Sequence, residues 1–333
     1  MGEVNDELPC PRASSPFWAE RLEELRTPLT GFCYRMFGSA ADTDDAAQET
    51  LIRALTRADQ YDASRASLST WVHRIATNVC LDMLRSARRR AIAIDLGEAA
   101  ESTALGAPRP ASWWVEPMPE SRLLRAADPA DRLIEREGIR LAFIAVLQWL
   151  PPRQRAVLIL RDVLSFSSRE TAQILDTSVA AVNSALQRAR RTLDSRRGEP
   201  VEVFDPDDAA QRELLERYVR AFESHDVDAL TRLLHEDAVT SMPPFPWWMR
   251  GGAKIARLTA AGGACADDRL IMTTINGAPG FGQFRRDDGG SWRPFSLVVV
   301  DIRAGKIVAT TSFFGTGGRF AEFGVPTSWP PER

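Results

Sequence analysis

The chain has 333 residues, 44% of them hydrophobic and 26% charged, with a formal net charge of −3. That length predicts two or three domains of roughly 100–200 residues, and the composition excludes a chain disordered throughout. No apolar run reaches the roughly 18 residues of a spanning helix. Met1 to Phe17 is polar and acidic, without the basic-then-apolar layout of a signal peptide. Cys10, Cys33, Cys80 and Cys265 lack CxxC spacing, and the histidines are His73, His225 and His235. Such a set offers little for tetrahedral zinc and reads as reduced thiols of a cytosolic protein. No metal and no cofactor are expected.

The mild total charge hides a pattern. Residues 65–90 carry six arginines against Asp82 alone, and residues 139–198 carry ten against four acids. Residues 91–138, between them, have five basic and nine acidic groups. Two basic stretches divided by an acidic one suggest two contacts with one polyanion. Every basic residue before Lys254 is arginine, whose planar fork suits phosphates and guanine edges. For one stretch alone, a solvated charged face is an equal account.

Residues 17–60 read as helical, with Asp44, Asp45, Gln48 and Glu49 on about one and a half turns. Acidic groups near a helix start complement its dipole. Residues 61–67 read as a loop. A helix is expected from Ser69 to about Arg90, with Trp71 or Val72, Ile75, Val79 and Met83 as its apolar stripe. Its other face holds Arg74, Asn78, Asp82 and Arg85, and Trp71 reads mainly as core. Residues 97–120 form a Gly-, Pro- and Ser-rich linker containing Trp113-Trp114-Val115-Glu116-Pro117. Exposed tryptophans favour docking somewhere, so the linker is expected to pack on the C-terminal domain.

A helix is expected from Asp131 to Leu150, broken by Pro151-Pro152, followed by another to about Asp162. Ser167 to Glu170 fits a capping box for a short helix to Leu175. After the turn Asp176-Thr177, Ser178 caps a last helix with Val182, Leu186, Ala189 and Leu193 inward. That is a helix-turn-helix. Its outward start is Ser178, Val179, Ala181, Asn183, Ser184, Gln187, Arg188 and Arg191; Arg190, Arg196 and Arg197 would add backbone charge. Past Pro206 the pattern changes. Residues 208–236 read as one or two amphipathic helices. Strands are expected at 270–275, 280–284, 292–300 and 306–314, taken as antiparallel. Helices first and strands after describe an α+β domain. For catalysis there, His225, Asp226, His235 and Asp301 are candidates, but no constellation emerges. Trp247, Trp248, Phe281, Phe284, Trp292, Phe295, Phe313 and Phe314 line a ligand pocket or simply fill the core.

On Asp44 to Thr50, Ser69 to Asp82, Leu150 to Arg155 and the helix-turn-helix at 168–193, the chain resembles the extracytoplasmic-function sigma factors. Residues 205–330 are similar to the SnoaL-like, nuclear-transport-factor-like cone domain, on Tyr218 to Leu230 and Leu233 to Ala238. Trp114-Val115-Glu116-Pro117 is similar to a linker motif of sigma factors with such a tail. The resemblance implies a multidomain fold. Two all-α domains, sigma region 2 over 17–92 and sigma region 4 over 131–198, flank an acidic linker, 93–130. The α+β cone domain follows at 205–330.

The resemblance implies partners as well. Core RNA polymerase would be met through Asp44, Asp45, Gln48 and Glu49 on the largest-subunit clamp, and through the flap of the second subunit. Promoter DNA would be met at the minus-ten element by Tyr61, Arg65, Trp71, Arg74, Asn78, Asp82 and Arg85. The helix-turn-helix would read the minus-thirty-five element. Asn183 and Ala185 stand where the family commonly has basic residues, which implies fewer phosphate contacts. Trp113, Trp114, Glu116 and Pro117 would dock the linker, and the tail would modulate initiation, with or without a small ligand. No membrane is implied. Two rival readings are a one-component ligand-sensing regulator and a bifunctional protein with a catalytic tail. An ordinary regulator has no need of the segment 44–50.

Overall fold

The computed structural model describes residues 16–85, 89–124, 136–196, 198–261 and 267–329. They belong to two compact units. One joins the chain up to Phe37 with Ala41–Ala87 and Leu150–Thr192; the other joins Gly38–Ala40, Arg88–Trp149 and Leu193 onward. Cys10, Cys265, Arg88, Arg197 and the expected helix start at 131–135 lie outside the described residues.

The first unit is helical. Helices α1 (Pro16–Glu23), α2 (Arg26–Phe37), α3 (Ala40–Thr56) and α4 (Leu68–Met83) fill the expected region. Leu29, Phe32 and Met36 of α2 are fully buried. Cys33 and Cys80 are buried, with their sulfurs 3.8 Å apart, and burial pushes the Cys80 thiol up. Ser67 caps α4 by accepting the Thr70 N–H at 3.1 Å. The helix stops at Met83 rather than near Arg90. The apolar stripe is Val72, Ile75, Ala76 and Val79, whereas Trp71 and Met83 are only half-buried.

Helix α5 (Pro152–Leu158) opens on the second proline, as expected, and passes into a π-helical turn over Ile159–Val163. Its Arg155 is buried and donates to the carbonyls of Met36 and Leu150; burial lowers its pKa to about 10. Helices α6 (Ser168–Ile174) and α7 (Val179–Arg196) make the helix-turn-helix. Both halves of the Ser167–Glu170 capping box form. Asp176 turns the chain at φ +49°, and Val182, Leu186 and Ala189 point into the core.

The second unit is built on one sheet. Among the described residues its strands are β1 (Leu234–Ser241), β2 (Trp248–Arg250), β3 (Arg269–Ile275), β4 (Ala278–Arg286), β5 (Trp292–Arg303) and β6 (Lys306–Phe314). Their order is β2-β1-β6-β5-β4-β3. Helices α8 (Ala209–Glu223), α9 (Val227–Leu233) and α10 (Gly252–Ala261) cover one face. The other face is closed by Phe320, Phe323 and Val325 over Phe284, Leu297 and Phe313.

Three sequence expectations change here. Strands β1 and β2 and helix α10 exist where none was expected, and His235 lies on β1, not at a helix end. The sheet is not wholly antiparallel, because β1 and β6 run parallel, with Thr240 opposite Thr310. The helix expected from Asp131 to Leu150 is interrupted: among the described residues it is helical at 136–137 and again over Leu141–Leu147. Gly138 weakens it, and Arg140 is extended so that its guanidinium reaches the Glu202 carbonyl and Asp301. The linker itself is packed. Trp114, Val115, Pro117 and Met118 are buried.

Candidate nucleic-acid interface and cavity

The outward side of α3 carries Asp44, Asp45 and Gln48 in solvent, with Glu49 half-exposed and bonded to Arg53 at 2.6 Å. Thr43, Ala46, Ala47 and Thr50 take the inward side. Below the acids, Ile52 and Leu55 are 48% and 37% exposed. Sequence reading missed these two. Their signal was a helical spacing of seven residues from Asp45 and Gln48, which continues the acidic stripe as an apolar one.

On α4, Arg74, Asn78 and Asp82 are exposed and Trp71 is half-exposed, and Arg85 is exposed in the turn that follows the helix. Steps of three and four residues align the four helical ones on one face. Asp82 and Arg85 pair at 3.3 Å. At the head of that face Trp71 and Tyr61 meet at 5.5 Å between ring centroids, and both contact Trp18, at 6.3 and 5.6 Å. Trp18 was not among the expected site residues. In the loop before α4, Asp62 accepts from the Ser64 hydroxyl and N–H, which holds its carboxyl below the usual range. Arg65 is exposed beside it.

At the helix-turn-helix, Ser178, Val179, Ala181, Asn183, Ser184, Gln187, Arg188 and Arg191 are all exposed. Ser178 caps α7 through the Ala181 N–H at 3.2 Å. The Ser168 hydroxyl donates to Asn183 at 3.0 Å, and Arg188 donates to Ser184 at 2.6 Å. Arg190 is held by both oxygens of Asp162, at 2.7 and 2.9 Å. In the second unit the Arg89 and Arg196 guanidiniums lie 3.4 and 3.3 Å from the Trp149 ring centroid.

The linker residues sit within the second unit. Trp114 packs with Ala93 and Trp248, and Trp113 joins the edge of that cluster. Glu116 accepts the Ala40 N–H and donates its own to the Gly38 carbonyl, both at 2.9 Å. Pro117 accepts from Arg319 at 3.2 Å.

The tail's candidate acids and bases do not converge. His225 lies in a turn, Asp226 caps α9 through the Ala229 N–H, and His235 accepts the Asp237 N–H. Asp301 is taken by Arg140. None of the four lines the cavity that opens under α8 and α10, whereas Trp247 and Phe314 do. Phe281 is core beneath it, Trp248 meets Trp114, and Phe284 and Phe313 belong to the opposite face. Trp292 lies tilted against Trp329, and Phe295 lies under Arg285.

Comparison with known proteins agrees with this layout. Residues 22–90 match the family Sigma-70 region 2, and residues 140–193 match Sigma-70, region 4. The chain is 40% identical over 316 residues to the ECF RNA polymerase sigma factor SigG of Mycobacterium tuberculosis, covering 93% of this chain and 84% of that one. It is 31% identical over 216 residues to SigJ of the same organism, covering 65% and 62%. The crystal structure of SigJ aligns with a TM-score of 0.59 at 22% identity, over 94% of this chain and all of that one, which is a likeness of fold.

Proposed function

The chain belongs to the extracytoplasmic-function RNA polymerase sigma factors, and from that premise we propose how its surfaces divide the work. As a sigma factor it binds core RNA polymerase and directs promoter-specific initiation. The bond-making chemistry is the polymerase's. In our reading α3 docks on the largest-subunit clamp through Asp44, Asp45, Gln48 and Glu49, with Ile52 and Leu55 burying apolar area alongside. The helix-turn-helix meets the flap of the second subunit and the minus-thirty-five element. There Asn183, Gln187 and Arg188 offer hydrogen bonds to base edges.

The minus-ten strand is read by Trp71, Arg74, Asn78, Asp82 and Arg85, with Tyr61 and Arg65 at the loop. Unstacking a base costs a few kcal/mol, which aromatic stacking and polar pockets offset. The observation that carries this reading is the exposed stripe on α4, where an aromatic, a cation, a carboxamide and a carboxylate share one face. The domains act as 17–92, 93–130, 131–198 and 205–330, in the cytoplasm. The SnoaL-like tail modulates initiation through the linker and holds a small ligand; it is a binding module and not an enzyme. In support, the described residues lining its cavity include Glu101 as the one carboxylate, and no histidine or cysteine. Run-off transcription with purified core polymerase tests the whole. Specific transcripts from a promoter library are expected, and their absence would refute it.

A further inference from the structure

The helix-covered face of the sheet is hollow. Its cavity measures about 740 Å3, inside the range of small-molecule sites. Tyr218, Phe222, Ile255, Leu270 and Val298 give it apolar walls. Polar groups enter from three strands. Thr310 donates to Thr240 at 2.9 Å, which leaves Thr240 its own hydroxyl proton, and Ser312 adds another hydroxyl. Gln283 is committed at both ends, accepting from Ser296 and donating to Asp268, each at 2.5 Å.

Two of the three cations that line the cavity are already paired, and the third, Arg257, is exposed. Arg285 binds Asp268 at 2.8 Å, and Lys254 binds Glu101 at 3.0 Å. An ionised ligand group drawn inside would lack a spare buried cation, and an unpaired buried charge is costly. A hydroxyl or carbonyl can instead use Thr240 and Ser312.

One wall of this cavity is not part of the sheet domain. Glu101, Thr103 and Leu105 line it from the linker. The segment 97–105 has no regular structure, and most of it is exposed. A few bonds hold it. Ala100 N–H donates to the Trp248 carbonyl at 2.7 Å. The indoles of Trp247 and Trp248 donate to the Ser102 and Gly97 carbonyls, each at 2.9 Å. Trp248 is also the residue on which Trp114 packs. So the same tryptophan holds the segment that closes the cavity and the linker's buried anchor.

We infer that the cavity binds an uncharged, largely apolar organic molecule bearing a hydroxyl or carbonyl, and that linker segment 97–105 is its lid. This rests on the reading that the tail holds a small ligand, and adds its chemistry and its route to the linker. A ligand that bonds to the closed lid stabilises the Trp248 contacts, and by reciprocity the docked linker favours the ligand. Exposed segments held by few contacts open at low cost, which gives the ligand a way in.

The test uses the full chain without polymerase and a matched fluorescent pair, 1-pyrenebutanol and 1-pyrenebutyrate. The alcohol is expected to bind saturably at one site, at least tenfold tighter than the acid, and to slow hydrogen exchange of the Ala100 amide several-fold. Ser312→Trp, which fills the cavity, is expected to abolish binding. Lys254→Ala, at an exposed position, is expected to keep the fold, speed Ala100 exchange and weaken the alcohol several-fold. Saturable binding of the acid in preference to the alcohol would overturn the assigned chemistry while the ligand reading stands. Unchanged Ala100 exchange on binding would overturn the lid. Binding of neither probe, or undiminished binding by a folded Ser312→Trp chain, would overturn the site.

Discussion

Asn276 accepts the Met118 N–H at 2.7 Å and donates through Nδ2 to the Ile139 carbonyl at 2.8 Å. One fully buried side chain at the β3–β4 turn thus serves two stretches of backbone far from it in sequence. Asn276 also sits at φ +52°, where asparagine is tolerated better than most residues. Asn276→Ala would leave a donor and an acceptor buried without partners, a loss of about 2–4 kcal/mol. Hydrogen exchange at the Met118 amide is the direct measurement, and its protection should fall accordingly. Unchanged protection would mean the bond contributes nothing to linker docking.

The polymerase contact is tested by charge reversal. Asp45→Arg with Glu49→Arg should lower core affinity at least tenfold while thermal stability changes little, since both positions are solvent-facing. The Glu49–Arg53 pair that is lost is half-exposed, and such pairs contribute about 0.3–0.5 kcal/mol on a helix. Ile52→Asp should weaken binding too. Equal co-purification of wild type and both variants with core polymerase would refute this use of α3.

DNA contacts should separate by position. Arg188→Ala and Asn183→Ala are each expected to cost ~1–3 kcal/mol at particular upstream bases. Arg196→Ala should weaken all sequences alike, as a phosphate contact would. Asn78→Ala should spare upstream duplex binding yet impair opening. Permanganate footprinting reads this directly, and normal thymine reactivity in the Asn78 variant would remove that residue from the minus-ten site.

The helix-turn-helix carries a pH dependence of known sign. The Ser167 hydroxyl and N–H hold the Glu170 carboxyl below its ordinary value of 4.5. A carboxylate with a lowered folded pKa contributes stability that is present above about 4.5 and is lost as the pH falls through the folded value. Ser167→Ala should remove about 1 kcal/mol at neutral pH. Glu170→Gln should flatten the acid limb of the helix-turn-helix stability curve. An identical acid limb in that variant would exclude the box as its source.

What the sequence revealed and what it hid follow from the range of the interactions. The capping box at Ser167 and the inward set Val182, Leu186 and Ala189 depend on neighbours within a turn or two, so spacing alone exposed them. The outward stripe on α4 was visible for the same reason. Strand β1 was hidden because His235, Glu236 and Asp237 read as the polar end of a helix. What makes the segment a strand is parallel pairing with β6, remote in sequence. The cavity's polar floor needs Thr240 and Thr310 side by side, a juxtaposition set by that register. Ile52 and Leu55 escaped notice because Thr43 and Thr50 fill the inward side; Thr50 satisfies its hydroxyl on the Ala46 carbonyl at 2.7 Å.

The linker supplies the sharpest test of the tail. Trp114 is 3% exposed and lies against Trp248, and truncating a buried tryptophan costs about 3–5 kcal/mol. In the full chain, Trp114→Ala should therefore release the linker locally while leaving the sheet domain folded. Proteolysis within 97–113 should accelerate in that variant, and run-off yield should fall several-fold. Removing everything after Gly198 is a harsher change of the same kind. It deletes the Phe204 and Glu202 carbonyls that Arg136 and Arg140 bind, the Asp301 carboxylate, the Asn276 amide and Trp248 itself. Arg140 and the apolar side of the linker would then lose their partners, and Arg136 would keep only Glu120, so the truncated chain should transcribe less than the point variant. Equal rate, promoter choice and yield from all three chains would leave the tail without a part in initiation. A fall in the truncated chain alone would confine its role to covering the linker, with Trp114 dispensable.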